Sequence, residues 1–285
     1  MARILVAEDS LTHTELLRSI LVSDDHEVVC VADGQEAWER VQSEGCDAIV
    51  TDLNMPQMDG CQLVAKLTES NPEIPAVVVT ARGSESLAVD ALAIGAIDFV
   101  PKQSLNQLLV KVVRQVLGYR QADQSAARLS GQLKAPEFYF KLRSDSGSIP
   151  FVANYLVMTM AAAGCGTPND RYRTATALAA AIFNAMVYGN LQRAESEIFD
   201  ESDETPRKGD LKVRVKVSIA ATDTRISVAH EGSGPITRIT PAPGTPESFE
   251  VEQCRGLMLM SSFMSDVMFN RRRSEVIMVR KHGEP

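Results

Sequence analysis

Several classes of protein are disfavoured by what this 285-residue sequence contains little of. Positive charge is scarce, because the formal net charge is −8. The one basic run, residues 271–273, is typical of a solvated turn. Proteins that bind nucleic acids neutralise phosphates with clustered Lys and Arg. We therefore expect no nucleic acid among the partners.

Paired cysteines and long hydrophobic runs are also missing. The five cysteines are odd in number and scattered, without metal-ligand spacing, which disfavours a disulfide framework; they are Cys30, Cys46, Cys61, Cys165 and Cys254. Free thiols fit a reducing, cytoplasmic location, and the first residues become charged too soon for a signal peptide. The longest apolar stretch, residues 175–188, is interrupted by Asn184 and is shorter than the about 20 residues of a membrane span.

Residues 3–118 alternate between short apolar runs and amphipathic stretches. The apolar runs are rich in Val and Ile and have the length of strands; they are residues 4–7, 28–31, 48–51, 76–80 and 97–100. Helical patterns follow at residues 12–23, 34–43, 59–70, 84–94 and 105–117. Five βα repeats predict a doubly wound α/β fold with a five-stranded parallel sheet. In such a sheet the functional site lies at the carboxyl ends of the strands.

The second half of the chain is organised differently. Strand patterns occur at residues 138–142, 211–220, 225–229, 266–270 and 275–281, and helical patterns at 149–163, 172–188 and 256–263. Helices beside an antiparallel sheet predict an α+β two-layer sandwich. Residues 121–136 are polar with one narrow apolar stripe, which predicts a linker helix; a flexible tether is the alternative. The expected domains are therefore residues 1–120 and 137–285.

Polar side chains follow four of the predicted parallel strands. Glu8 and Asp9 come after the first strand, Asp52 ends the third, Thr80 ends the fourth, and Lys102 follows the fifth. Carboxylates that meet at one edge repel each other, and Mg²⁺, which prefers oxygen ligands, relieves that repulsion. Asp52 can then act as a carboxylate nucleophile toward a phosphoryl group. Lys102 offers a cation and Thr80 a hydrogen bond to the phosphoryl oxygens.

Residues 1–120 resemble the receiver domain of two-component response regulators, which has a flavodoxin-like fold. The resemblance rests on the residues above, on Asn54-Met-Pro-Gln-Met-Asp-Gly60, on Thr80-Ala81 and on Phe99-Val-Pro-Lys102. It implies a histidine kinase as phosphodonor and Asp52 as phosphoacceptor. It also implies Mg²⁺ at Glu8, Asp9, Asp52 and the backbone carbonyl of Asn54, and a switch made by Thr80 and Phe99. A receiver takes up the phosphoryl group and can hydrolyse it.

Three motifs in the second half resemble the histidine-kinase-like ATPase domain of bacterial anti-sigma factors of the serine-kinase type. They are residues 183–191, which include Asn184, residues 230–235, which begin at His230, and residues 255–257. The resemblance implies that Asn184 is a Mg²⁺ ligand of a nucleotide site that also includes His230, Gly232, Gly234 and Gly256. Two positions depart from the family, because Ala180 and His230 replace acidic residues.

The substitutions at Ala180 and His230 bear on two hypotheses for the function of the second domain. Ala180 cannot act as a general base, and a lost hydrogen bond in a buried site costs about 1–3 kcal/mol. We therefore expect that this domain has lost catalysis and ATP binding. It would bind a protein such as a sigma factor or an anti-sigma antagonist under receiver control. The alternative is an active serine/threonine kinase in which Glu195 or Glu197 supplies the base. A homodimer through this domain has less support.

Overall fold

The computed structural model describes residues 1–81, 84–191, 211–236 and 252–283. The chain divides into two compact units. Unit 1 consists of residues 1–124 and 167–173, and unit 2 consists of residues 125–166 and 174–285. Each unit contains one five-stranded sheet.

Unit 1 alternates strand and helix along residues 1–124. Its strands are β1 (Arg3–Ala7), β2 (Glu27–Val31), β3 (Ala48–Asp52), β4 (Ala76–Thr80) and β5 (Asp98–Pro101). Its helices are α1 (Leu11–Val22), α2 (Gly34–Glu44), α3 (Gly60–Ser70), α4 (Glu85–Ile94) and α5 (Leu105–Ala126), the last of which runs two residues beyond the unit. The strands are parallel in the order β2-β1-β3-β4-β5. The predicted parallel sheet is confirmed.

Burial across this sheet follows from its topology. Every residue of β3 and β4 is buried, because strands in the middle of a parallel sheet are covered by helices on both faces. The edge strand β2 is only partly buried. The order of strands brings the carboxyl ends of β1, β3, β4 and β5 to one edge of the sheet.

Residues 167–173 belong to unit 1 although they lie far from it in sequence. The side-chain amide of Asn169 donates a 2.7 Å hydrogen bond to the carbonyl of Gly95. The guanidinium of Arg173 donates a 2.7 Å bond to the carbonyl of Leu92. Both acceptors lie at the end of α4. No sequence pattern predicts this contribution, because contacts so distant along the chain leave no local signal.

Unit 2 combines helices with an antiparallel sheet. Its strands are β6 (Glu137–Arg143), β7 (Lys212–Ile219), β8 (Asp223–His230), β9 (Asp266–Phe269) and β10 (Glu275–Lys281). Its helices are α6 (Ile149–Ala163), α7 (Pro168–Asn184), whose first residues belong to unit 1, and α8 (Glu252–Phe263). The strands are antiparallel in the order β6-β7-β8-β10-β9. On β7, Val213, Val215 and Val217 are fully buried, as expected of a strand with one face toward the core.

The two long helical predictions are only partly correct. The α-helix predicted for residues 172–188 ends at Asn184 and continues as a π-helical segment, Ala185–Leu191. The predicted linker helix, residues 121–136, is α-helical only through Ala126, and a short 3₁₀ turn follows at Ala127–Leu129. Leu129 and Leu133 are exposed, so the apolar stripe that predicts a longer helix is buried only as far as Ala126, which clusters with Ala161 and Ala162.

The combined helical segment Pro168–Leu191 satisfies the length and composition of a membrane span, with a mean hydropathy of 1.2. However, 83% of the 18-residue window that meets these criteria is buried inside the protein. Its apolar character is therefore accounted for by packing in a protein core.

Candidate functional site

The parallel sheet of unit 1 brings the predicted acidic residues together. Glu8 follows β1, Asp9 comes next, and Asp52 is the last residue of β3. One carboxylate oxygen from each lies within 4.8 Å of the others. Glu8 and Asp52 are buried whereas Asp9 is exposed, so the cluster is open to solvent on the side of Asp9.

Lys102 supplies the positive charge of this cluster. Its Nζ lies 2.9 Å from Oε2 of Glu8 and 3.2 Å from Oδ1 of Asp52. Burial alone would lower the pKa of Lys102, but the hydrogen bond to Glu8 and the charge of Asp52 outweigh it and raise the pKa. The ammonium therefore stays protonated at neutral pH and is directed at the carboxylate of Asp52.

The donor set fits a hard divalent cation. Three carboxylates face one ammonium, so negative charge remains in excess among these four groups. Oε2 of Glu8 is buried and pairs with the ammonium of Lys102 at 2.9 Å, and a carboxylate oxygen keeps a second lone pair for a metal ion. Oxygen-only donors are the ligands that Mg²⁺ prefers. Glu8, Asp9 and Asp52 would hold the ion, and when bound it would neutralise oxygens of a transferring phosphoryl group.

The loop after β3 fixes the position of Asp52. A Cβ atom on Gly60 would lie 2.2 Å from the carbonyl oxygen of Asp52, so this close approach requires glycine. The N–H of Gly60 also donates a 3.0 Å bond to the carbonyl of Leu53. Asp59 then begins α3 with a capping box to Gln62. The backbone N–H of Asn54 donates to Oδ2 of Asp52 at 3.3 Å, which places Asn54 beside the cluster.

The other two predicted residues lie on neighbouring strands. Thr80 is buried at the end of β4, in register with Pro101 on β5. Phe99 is fully buried on β5 opposite Val78. Thr80 thus ends at the same edge of the sheet as Asp52, while Phe99 contributes to the core. Their proposed role as a switch remains a prediction.

Sequence reasoning missed His13. This residue lies in α1, and its Nδ1 is 3.2 Å from Nζ of Lys102 and 3.5 Å from Oε1 of Glu8. No motif marks it, because its proximity depends on how α1 returns over the strand ends. His13 does follow β1 closely in the sequence, and its location near a strand end makes it a candidate site residue.

A second polar cluster occurs in unit 2, where the π-helical segment meets the loop after β8. Asn190 is buried, and its Oδ1 accepts hydrogen bonds from the backbone N–H groups of Gly232 (2.7 Å) and Glu231 (3.2 Å). Its Nδ2 donates to Oγ of Ser144 at 2.8 Å. The N–H of Gly234 donates to the carbonyl of Gly189 at 3.1 Å. Asn190 is therefore a structural clamp that the site prediction omitted.

The predicted nucleotide residues pack closely with this clamp and with α8. A Cβ on Gly232 would lie 2.2 Å from the carbonyl oxygen of Gly189, and one on Gly189 would lie 2.6 Å from the ring of His230. Burial lowers the pKa of His230, and the backbone groups of Arg273 and Gly232 offset this only in part. The imidazole is thus held neutral.

Asn184 ends α7 and lies against α8. A Cβ on Gly256 would lie 3.0 Å from its Oδ1. The amide is buried, and neither Oδ1 nor Nδ2 has a hydrogen-bond partner among the described residues. Among the predicted nucleotide-binding residues, Asn184 therefore lies next to Gly256, and His230 lies next to Gly232. Glu195 and Glu197, the alternative bases, lie outside the described residues.

Comparison with known proteins identifies unit 1. Residues 4–114 match the family model of the response regulator receiver domain. Response regulator MprA of Mycolicibacterium vanbaalenii is 37% identical over 111 residues, which are 39% of this chain and 48% of MprA. Transcriptional regulatory protein ZraR of Klebsiella oxytoca is 26% identical over 155 residues, 54% of this chain and 34% of ZraR. The chain thus spans about half the length of these curated relatives, or less.

Solved structures include further receivers. The signal receiver domain of a signal transduction histidine kinase from Syntrophus aciditrophicus is 31% identical, with a TM-score of 0.39, and the match covers 41% of this chain and 90% of that one. NtrX from Brucella abortus is 25% identical, with a TM-score of 0.43, over 46% of this chain and 30% of NtrX. The family match over residues 4–114 defines this part of the chain as a response regulator receiver domain of the two-component type.

Proposed function

We propose that the chain is a response regulator that takes a phosphoryl group on Asp52 and controls a protein partner through unit 2. Phosphorylation of Asp52 is supported by the cluster of Glu8, Asp9 and Asp52. Nζ of Lys102 lies 3.2 Å from Asp52 in this cluster. A nucleophilic carboxylate beside a fixed cation and an oxygen-lined cation site suits phosphoryl transfer.

The proposed transfer needs a nucleophile, a cation and a hydrogen-bond donor. An oxygen of Asp52 forms a bond to the phosphorus of a phosphohistidine, and the N–P bond of the donor breaks. The electron pair returns to the imidazole nitrogen of the donor, which then takes up a proton. Lys102 offsets charge on the phosphoryl oxygens, and the hydroxyl of Thr80 donates a hydrogen bond to the product. Bound Mg²⁺ would stabilise the same oxygens.

Phosphorylation is tested with a small donor. Incubation of the full chain with acetyl phosphate and Mg²⁺ should add one phosphoryl group, observed by intact mass spectrometry. Hydroxylamine, which cleaves acyl phosphates, should remove it, and omission of Mg²⁺ should prevent it. No uptake in the presence of Mg²⁺, with the chain folded, would contradict the assignment of Asp52.

Unit 2 is proposed to bind a protein and to lack kinase activity. The N–H groups of Glu231, Gly232 and Gly234, which a ligand in the glycine loop would need, already donate to Asn190 and Gly189. His230 is neutral and cannot donate two bonds at once. Loss of catalysis leaves a protein-binding surface intact, because the two are separate sites on one fold.

One observation favours the alternative, an ATP-dependent serine/threonine kinase. The amide of Asn184 is buried without a partner among the described residues, which costs free energy unless a ligand satisfies it. Titration calorimetry of the full chain with Mg-ATP, against Mg²⁺ alone, separates the two proposals. We expect no heat of nucleotide binding at millimolar ATP. Saturable binding that Asn184→Ala abolishes would establish a nucleotide site and overturn the proposed loss of ATP binding.

The partner proposed for unit 2 is a sigma factor or an antagonist of an anti-sigma factor. A pull-down with the phosphorylated chain and with Asp52→Asn should recover such a protein in different amounts. The expected cytoplasmic location is consistent with both classes. Because ZraR is a transcriptional regulatory protein, a titration with duplex DNA should accompany the pull-down. Binding that weakens steeply with salt would contradict the prediction of no nucleic-acid partner.

A further inference from the structure

Among the residues that the structure describes, the sheet of unit 2 has an open edge at β6. Strand β6 has β7 as its one neighbour in the sheet order. The N–H of Ile219 donates to the carbonyl of Pro136 at 3.0 Å, and the register of Glu137 with Ser218 continues to this pair. Backbone groups alternate sides along a strand, so the even-numbered residues of β6 bond to β7. The odd-numbered residues, Glu137, Tyr139, Lys141 and Arg143, direct theirs at the open edge.

The inner face of this edge is incompletely covered. Phe138, Phe140 and Leu142 on β6 are only half-buried, although their register partners Val217, Val215 and Val213 on β7 are fully buried. The ring of Tyr155 on α6 lies 5.0 Å from that of Phe138 and 5.7 Å from that of Phe140. Helix α6 therefore covers this face from one side.

Helix α6 carries an exposed apolar stripe beside the same edge. Phe151, Tyr155 and Met158 are spaced four and three residues apart, so they share one face of the helix. Phe151 is 80% exposed, and Tyr155 and Met158 are exposed as well. An open strand edge with an adjacent apolar stripe is the arrangement that proteins use to recruit a further strand.

The charges on β6 indicate what that strand is. We propose that β6 pairs antiparallel with β6 of a second copy of this chain, about a two-fold axis at Phe140. In this register Glu137 faces Arg143 of the second copy twice, Tyr139 faces Lys141, and Phe138 faces Leu142. The strand EFYFKLR is thus self-complementary, because opposite charges face each other and apolar side chains face apolar side chains. An isologous interface requires this.

The proposed symmetry also joins the two apolar stripes. A two-fold axis normal to the sheet keeps each face on its own side, so the two α6 helices lie on the same face and meet over the joined strands. Tyr139 and Lys141 exchange backbone hydrogen bonds with the second copy. The carbonyl of Arg143 already accepts a 2.8 Å bond from Asp145, so Arg143 contributes through its side chain.

Sedimentation equilibrium of the full chain tests the interface directly. We expect a dimer at micromolar concentration. Phe151→Asp should weaken dimerisation about tenfold or more, since a charge replaces an interfacial apolar ring. Met268→Asp is the matched control, because Met268 is 52% exposed on β9, the opposite edge of the same sheet. A wild-type chain that stays monomeric at about 100 μM, the range of weak association, overturns the proposal, and a strand from another protein is then the occupant to test.

Tyr139→Pro tests the strand edge itself. Proline removes an N–H that faces the open edge and none that bonds to β7, so the monomer should keep its circular dichroism spectrum. Dimerisation should be lost. A Tyr139→Pro chain that dimerises like the wild type would show that β6 does not pair in this way.

A charge exchange tests the register. Glu137→Arg and Arg143→Glu each place like charges opposite one another twice, and each should weaken dimerisation by about tenfold. An equimolar mixture of the two variants restores both opposite-charge pairs and should form heterodimers about as stable as the wild-type dimer. Recovery is specific to this pairing, and its absence would exclude the register.

Discussion

The two polar clusters of this protein are built in a similar way, but they differ in the polar groups that a ligand could still bind. Each contains a glycine, Gly60 or Gly232, whose Cβ would lie 2.2 Å from a backbone carbonyl oxygen. In unit 1 the cluster consists of opposite charges, and Asp9 is exposed at its open side. In unit 2 the backbone donors of the glycine loop are already bonded to Asn190 and Gly189. Reactivity therefore depends on which polar groups remain for a ligand.

The largest expected effect is on the reactive carboxylate. Asp52→Asn should abolish phosphate uptake from acetyl phosphate, because a neutral amide is a poor nucleophile. The fold should persist, since the side chain keeps its size and one of three mutually repelling carboxylates is lost. Phosphate gel shift and thermal unfolding measure the two outcomes. Stoichiometric labelling of the variant would falsify the assignment.

Removal of the ammonium group of Lys102 should have the next largest effect. Lys102→Ala should slow phosphorylation by about 10²–10³-fold, the usual cost of one electrostatic contact to a transition state. The pKa of Lys102 is raised, so its contribution to stability is present at neutral pH and is lost as the pH rises above the ordinary lysine value of about 10.4. Rapid quenching followed by intact mass spectrometry can follow the rate. Asn190→Ala, which removes the clamp of unit 2, should leave that rate unchanged; a comparable slowing would show that the two clusters are not independent.

Parallel alanine substitutions at the two glycines compare the clusters directly. Gly60→Ala and Gly232→Ala should each destabilise the protein by about 1–3 kcal/mol, because the added methyl group displaces backbone. Only Gly60→Ala should also slow phosphorylation, because the displaced carbonyl is that of Asp52 itself. Gly147→Ala is the matched control, since its nearest neighbour would be 3.4 Å from the new Cβ. Urea unfolding and acetyl phosphate kinetics measure both effects; equal slowing by both substitutions would contradict the comparison.

The comparison also explains which features the sequence could predict. The parallel sheet and the convergence of Glu8, Asp52 and Lys102 follow from strand periodicity and from the geometry of strand ends. Contacts between distant segments leave no local pattern in the sequence. Such contacts account for the roles of His13, Asn190 and residues 167–173. Apolar periodicity predicts regular helix where the π-helical segment follows Asn184, because the periodicity of the two kinds of helix is nearly the same.

The smallest expected effect concerns His230. Burial lowers its pKa in the folded protein, so the unfolded chain binds a proton first as the pH falls through about 6.5. Stability should therefore decrease below that pH, since stability rises with pH wherever the unfolded state binds more protons. His230→Gln should reduce this dependence.

Urea transitions followed by circular dichroism can detect the loss, with fluorescence of Trp38, the one tryptophan of the chain, as the reference for unit 1. A shift in the circular dichroism transition that the fluorescence transition does not share assigns the effect to unit 2. An unchanged pH dependence in His230→Gln would mean that the pKa of His230 is the same in the folded and unfolded states, so that the imidazole is protonated in the folded protein below about pH 6.5. The cluster of unit 2 would then carry a charge available to an anionic ligand, as the cluster of unit 1 does for a cation.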